Sequence, residues 1–223
     1  LITQRTQALL RHLRPEHELV TLPHWEPLEP NLAQINRSDA LIIMGGPGFQ
    51  PGFYPKVYAL TANPKAIQVP IVPLGLGWKG YPGDEATLAA YRFSDASLGV
   101  LRAQADRGVA FGCRDHMTVR ALENHGFRNA KMTGCPVWYH LPSLGQPMHR
   151  PAQVRSLVFT PAQRHVYRAQ SSAAMAMLAE LFPRARRVCV FHRGVDQADP
   201  MIPGADARNN RALADAAAAL GFE

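Results

Sequence analysis

The sequence predicts an α/β fold made of two Rossmann-like domains. Three observations carry that expectation. Two apolar runs, Asp39–Met44 and Val69–Leu74, each end in glycines, as strands of a parallel sheet buried on both faces do. Helical and strand-like segments alternate along the chain, which is the pattern of a doubly wound sheet. A stretch rich in Pro, Gly and polar residues interrupts the alternation, and a second alternating run follows it.

The elements follow in order. Leu1–Arg14 sets Ile2, Leu9, Leu10 and Leu13 on a helical stripe. His17–Leu22 (HELVTL) reads as a short strand. Asp39–Met44 and Val69–Leu74 are buried strands, although Pro70 and Pro73 are unusual in a central strand. Val109–Cys113 and Ala130–Thr133 complete the strands of this half. Between them lie helices at Asp84–Tyr91, Ser94–Arg107 and His116–Gly126, with Gly126 as a C-cap. Residues 1–141 form the first domain, 142–155 a linker, and 156–223 the first half of a second domain. That half holds a strand at Ser156–Thr160, a helix at Gln163–Phe182, a strand at Arg187–Phe191 and a helix at Ala207–Leu220. The chain reads as lacking the first strand of the first domain and the latter half of the second.

Composition narrows the function. The 223 residues carry 24 Lys and Arg against 17 Asp and Glu, a net charge of +7, and only four of the cations are lysines. Arginine's planar fork suits carboxylate and phosphate. The basic residues are scattered with no run of five, so a nucleic-acid tract is not expected. Cys113, Cys135 and Cys189 are odd in number and lack CxxC spacing, which argues against a disulfide framework or a zinc knuckle and fits a reducing, cytoplasmic compartment. No apolar run has the length of a membrane span. No metal or cofactor is called for.

Glycines at strand ends let backbone N–H groups approach an anion with no Cβ in the way. Gly45, Gly46, Gly48, Gly75 and Gly77 stand at such ends and are the candidate substrate-binding residues; tight turns without a ligand are the alternative. Gly46-Pro47-Gly48 has no third glycine three residues on, so it is not a dinucleotide fingerprint, and no GxxxxGK[ST] occurs. DALIIMGGPGF and VPIVPLGLGWKG are similar to the oxyanion strand and nucleophile elbow of class I glutamine amidotransferases. The nucleophile position there is Leu76, which cannot supply a thiolate.

The stretch Gly108–Pro136 is more specific. It runs strand, Arg114-Asp115, two residues, Thr118, a helix ending in Leu122 and Gly126, then a strand and Gly134-Cys135-Pro136. Asp115 is placed to cap the helix and Thr118, three residues on, to share its first-turn hydrogen bonds. Arg114 stands at the end of a strand, where its fork could bind a carboxylate or phosphate. In this order and spacing the sequence resembles the polysaccharide pyruvyl transferase family over roughly residues 39–140, with Leu74-Gly75-Leu76-Gly77 similar to a further family segment. Cys135 stands where that family has aspartate, and the family's late Arg-x-His tripeptide does not occur.

The resemblance implies a GT-B-like pair of domains and a transferase of exopolysaccharide biosynthesis. It would move a pyruvyl group from phosphoenolpyruvate to two hydroxyls of a sugar. It implies Arg114, Asp115 and Thr118 as donor-binding residues, with no metal or cofactor. A lipid-linked saccharide acceptor would bring the chain to a membrane surface as a peripheral protein. His192 and Arg193, the nearest basic pair at a strand end in the second half, are the candidate catalytic residues; Arg164-His165 is a weaker pair. A nucleotide-sugar glycosyltransferase of the same architecture and a non-catalytic sugar-binding or assembly protein remain as alternatives.

Overall fold

The computed structural model describes residues 1–24, 26–80, 83–147, 150–198 and 204–223; Met148 and His149 of the expected linker lie outside them. The chain divides into two units, Leu1–Gln146 and Pro147–Glu223. Both mix helices with short parallel strand pairs, an α/β architecture.

In the first unit β1 (Leu41–Met44) pairs in parallel with β2 (Ile71–Leu74), in register from Leu41↔Ile71 to Met44↔Leu74. Further on, β3 (Phe111–Cys113) pairs in parallel with β4 (Ala130–Met132). A bridge from Leu76 to Cys113 joins the two pairs: Leu76 N–H donates to Gly112 O at 3.1 Å and Arg114 N–H to Leu76 O at 2.8 Å. All four strands are therefore parallel, and their carboxyl ends lie along one edge. The three residues of β3 are all buried, as a strand covered on both faces must be.

The prolines of β2 are accommodated by alternation. Pro70 O and Leu74 O accept from Leu41 and Gly45 on the β1 side. Alternation turns the nitrogen of Pro73 to the opposite side, where pairing with β3 begins only at Leu76. The N–H of Ile71 on that same side donates to Oε1 of buried Gln104 at 2.9 Å, so no strand partner is needed there.

The helices are α1 (Ile2–Leu13), the single turn α2 (Leu32–Ile35), α3 (Glu85–Ala90), α4 (Asp95–Asp106) and α5 (His116–Glu123). Asp84, Ser94 and Asp115 cap the last three through side-chain oxygens that accept N–H groups of the first turn. Past α5, Gly126 has φ +87° and Phe127 N–H returns to Leu122 O, a glycine C-cap. The core gathers Phe49, Phe53, Ile71, Leu101, Phe111 and Leu122, each at most 1% exposed.

The strand expected at His17–Leu22 does not form. Its backbone joins no ladder; Gln7 Nε2 donates to Thr21 Oγ1, and Val20 is 53% exposed while Leu22 packs partly on the core. The apolar residues follow a surface coil instead of alternating across a sheet.

In the second unit β5 (Ser156–Phe159) pairs in parallel with β6 (Arg186–Cys189), and Phe222–Glu223 continues the pattern beside β6 through Cys189 N–H to Glu223 O and Glu223 N–H to Arg187 O. Helices α6 (Arg168–Leu181) and α7 (Ala207–Ala219) pack around Met175, Leu213, Ala217 and Phe222. Helix α6 begins five residues later than Gln163 because Arg164 is extended and bridges Ala205; a 3-10 turn at His165–Tyr167 leads into the helix.

Candidate active site

The carboxyl edge of the first unit brings together the glycine loops and Arg114. The loop after β1 and the loop after β2 are stitched by two backbone bonds, Gly77 N–H to Gly46 O at 2.8 Å and Phe49 N–H to Gly77 O at 2.9 Å. They form one layer, not two independent turns.

Four of the five candidate glycines are explained by packing. A Cβ at Gly45 would fall 2.6 Å from Ile2 of α1, and one at Gly48 would meet the Tyr58 hydroxyl and Leu76. One at Gly75 would lie 2.6 Å from Gly134 O and against the Pro136 ring, and Gly75 also has φ +65°. One at Gly77 would collide with the guanidinium of Arg114. Gly46 differs: with φ +73° it has no heavy atom within 4 Å of where a Cβ would be. Gly134, which the sequence reading passed over as a site residue, shares that openness at φ +80°. Its signal was the Gly-Cys-Pro at a strand end.

Arg114 follows β3 directly. Its guanidinium lies flat against Gly77, where only a glycine leaves room, and Nε stands 3.4 Å from Asp115 Oδ2. The side chain is 35% exposed, and its terminal nitrogens make no hydrogen bond among the described residues. The other oxygen of Asp115, Oδ1, accepts from Thr118 N–H at 2.8 Å and from the Thr118 hydroxyl at 2.9 Å. Thr118 is fully buried and its Oγ1 accepts from Trp78 N–H at 2.9 Å. One relay therefore runs from the loop after β2, through Thr118, to the carboxylate that orients Arg114. Thr118 works behind the surface, and Arg114 faces outward from it.

The elbow position supplies no nucleophile, and the partly exposed free thiol at this edge is that of Cys135, just past β4. Leu76, at the elbow position, is fully buried, and burial pushes the Cys113 thiol up to about 12. Among the described residues no group of three or more His, Cys, Asp or Glu side chains is placed to hold a metal ion. The edge presents a half-buried cation, open backbone at Gly46 and Gly134, and no carboxylate aimed outward except the one that holds Arg114. This arrangement can take an anion.

A family model described as polysaccharide pyruvyl transferase matches residues 1–198. The chain belongs to the polysaccharide pyruvyl transferase family. No curated protein and no solved structure matches it. For a polysaccharide pyruvyl transferase, the matched span takes in both units almost to the start of α7, including the carboxyl edge of the first. The family membership makes the chain a transferase-type protein of polysaccharide biosynthesis with a sugar or polysaccharide acceptor. His192 and Arg193 stand exposed in the second unit, in the tight turn after β6, where Arg193 N–H and Gly194 N–H both reach back to Phe191 O. They belong to a different unit from Arg114, Asp115 and Thr118.

Proposed function

We propose that the chain transfers the enolpyruvyl group of phosphoenolpyruvate to two hydroxyls of a saccharide, closing a pyruvate ketal and releasing phosphate. The observation that carries this reading is Arg114: a strand-end guanidinium, seated on a glycine and oriented by Asp115, with its outer nitrogens uncommitted. That presentation suits bidentate binding of the donor's carboxylate or phosphate. Gly46, with the stitched glycine loops around it, lines the space beside that charge. The architecture in this reading is GT-B-like, two Rossmann-like domains over residues 1–141 and 156–223 joined by the linker 142–155, acting in the cytoplasm.

The chemistry balances without a cofactor. A proton adds to the methylene carbon of the donor, making it a methyl group, and a sugar hydroxyl bonds to the adjacent carbon. Loss of phosphate leaves an oxocarbenium ion, and the second hydroxyl closes the ketal. Of the two hydroxyl protons released, one restores the acid and one leaves with the phosphate. The step needs a proton donor, a base and cations for the donor's negative charges. We assign donor binding to Arg114, with Asp115 and Thr118 positioning it, and proton transfer and charge neutralisation in the second unit to His192 and Arg193.

Calorimetric titration of the chain with phosphoenolpyruvate tests the assignment. Arg114→Ala should weaken donor binding by at least about tenfold, the scale of one lost charge-assisted pair, with the circular dichroism spectrum unchanged. Unchanged affinity removes Arg114 from the site. Binding of uridine diphosphate in place of phosphoenolpyruvate would favour a nucleotide-sugar glycosyltransferase.

A further inference from the structure

Trp138 stands 80% exposed, whereas Trp78 in the core is 8% exposed. Tryptophan is highly buried on average, because its indole is among the largest apolar surfaces a side chain carries. Among the described residues no aromatic ring lies against the Trp138 indole and none accepts from its N–H. The backbone beneath the ring is fixed. Pro136–Trp138 form a 3-10 turn that opens on proline. Trp138 N–H donates to Cys135 O at 3.0 Å, Tyr139 N–H to Pro136 O at 3.0 Å and His140 N–H to Trp138 O at 2.7 Å. The Tyr139 hydroxyl reaches back and donates to Thr133 O at 2.9 Å, and α1 lies alongside the turn. An indole on so rigid a support has little freedom left to lose when a ligand covers it.

That support belongs to the carboxyl edge of the first unit. Gly134 N–H donates to Cys113 O at 3.1 Å, so the segment leaves β4 bonded to the residue that precedes Arg114. The Pro136 ring abuts Gly75 in the loop after β2. A 3-10 turn rises about 2 Å per residue, so Trp138 follows Pro136 by about 4 Å along the turn. Gly134, between the strand and the turn, presents bare backbone, with no heavy atom within 4 Å of where a Cβ would stand. The segments that follow β3 and β4 therefore bring a cation, open backbone and an uncovered indole to the same edge. All of these residues lie within the first unit.

We propose that Trp138 is a stacking platform for a pyranose ring of the saccharide acceptor. A pyranose carries its hydroxyls around the rim and C–H groups on its faces. The sugar face is apolar and slightly positive, and the indole face is apolar and negative, so the two attract when laid flat. Flat stacking leaves the rim hydroxyls uncovered, which a reaction at two of them requires. The family supplies the occupant, since its acceptor is a sugar or polysaccharide. The area agrees: an indole offers at most about 250 Å², enough for one sugar face, whereas a stable protein partner needs about 800 Å² on each side. The platform rests on the saccharide acceptor of the proposed reaction, and not on Arg114 or on the identity of the donor.

The test is saturation-transfer NMR on the 223-residue chain without phosphoenolpyruvate. The probes are methyl β-D-glucopyranoside and methyl β-D-galactopyranoside, each with an unbroken run of C–H bonds on one face. Saturation of the protein should pass to the ring C–H protons of at least one probe, with a dissociation constant on the order of 1 mM. Trp138→Ala should weaken that binding about tenfold, and Trp138→Tyr, which keeps an aromatic face, should recover part of it. Leu13→Ala, which trims another exposed apolar side chain in the last turn of α1, should leave it unchanged. No transfer to either probe overturns the proposal, as does transfer that survives Trp138→Ala or falls equally in Leu13→Ala. Calorimetry with phosphoenolpyruvate reads the donor assignment separately. Saccharide transfer without donor binding keeps the platform and removes the pyruvyl-transfer reading; donor binding without saccharide transfer removes the platform alone.

Discussion

A methyl group added at Gly77 has only one place to go, and Arg114 occupies it. The guanidinium is the end of a long side chain and can swing away, so Gly77→Ala should fold and melt within a few degrees of the parent. Its affinity for phosphoenolpyruvate should nonetheless fall about tenfold, as in Arg114→Ala. Gly46→Ala is the complementary case. The new methyl meets nothing, but φ +73° strains any L-residue by about 1 kcal/mol. Stability should drop by about that amount, and thermal melts read it. The sequence marked these glycines as strand-end loops. It could not say that Gly75 abuts Pro136 or Gly48 abuts Tyr58, because such contacts depend on how distant strands are registered.

At the scale of elements, α5 is tied to the loop after β2 through a single hydroxyl. Thr118→Val keeps shape but leaves the buried Trp78 N–H without its acceptor, while Asp115 Oδ1, partly exposed, keeps the Thr118 N–H. An unpaired buried amide costs about 1–3 kcal/mol. Urea unfolding should show that loss for Thr118→Val and little for Thr118→Ser. The Asp115 cap was legible from spacing alone, since an acceptor followed three residues on by Thr is a local signature. Trp78 as the second partner was not legible, being forty residues away. The failed strand at His17–Leu22 has a related cause. Its alternation is short, and only a neighbouring strand could have turned it into a ladder. Pro73 misled in the other direction: it looks foreign to a central strand until the side on which pairing is absent is known.

For the molecule as a whole, buried acids set the response to alkali. Burial raises the Cys113 thiol from 9.0 to about 12, and it raises the hydroxyls of Tyr58 and Tyr91 as well. The unfolded chain releases these protons at lower pH than the folded one. The folded state then holds more protons, and stability falls as pH rises through the unfolded values. Urea midpoints should be level to about pH 8 and decline above it. Cys113→Ala should remove the earliest part of the decline and leave the tyrosine part. The α/β architecture and the residues of the carboxyl edge could be read in advance, because apolar runs ending in glycine and the Arg-Asp-x-x-Thr spacing are local patterns.

The relay from Trp78 through Thr118 to Asp115 and Arg114 also bears on inheritance. Two segments far apart in the gene share one hydrogen-bonded unit, so neither can be exchanged alone. Grafting the Gly75–Trp78 loop from another protein would leave Arg114 resting on a foreign surface. Grafting Arg114–Thr118 alone would strand the backbone of Trp78. Recombination that preserves function must carry both segments together, and relatives should differ at them in matched pairs.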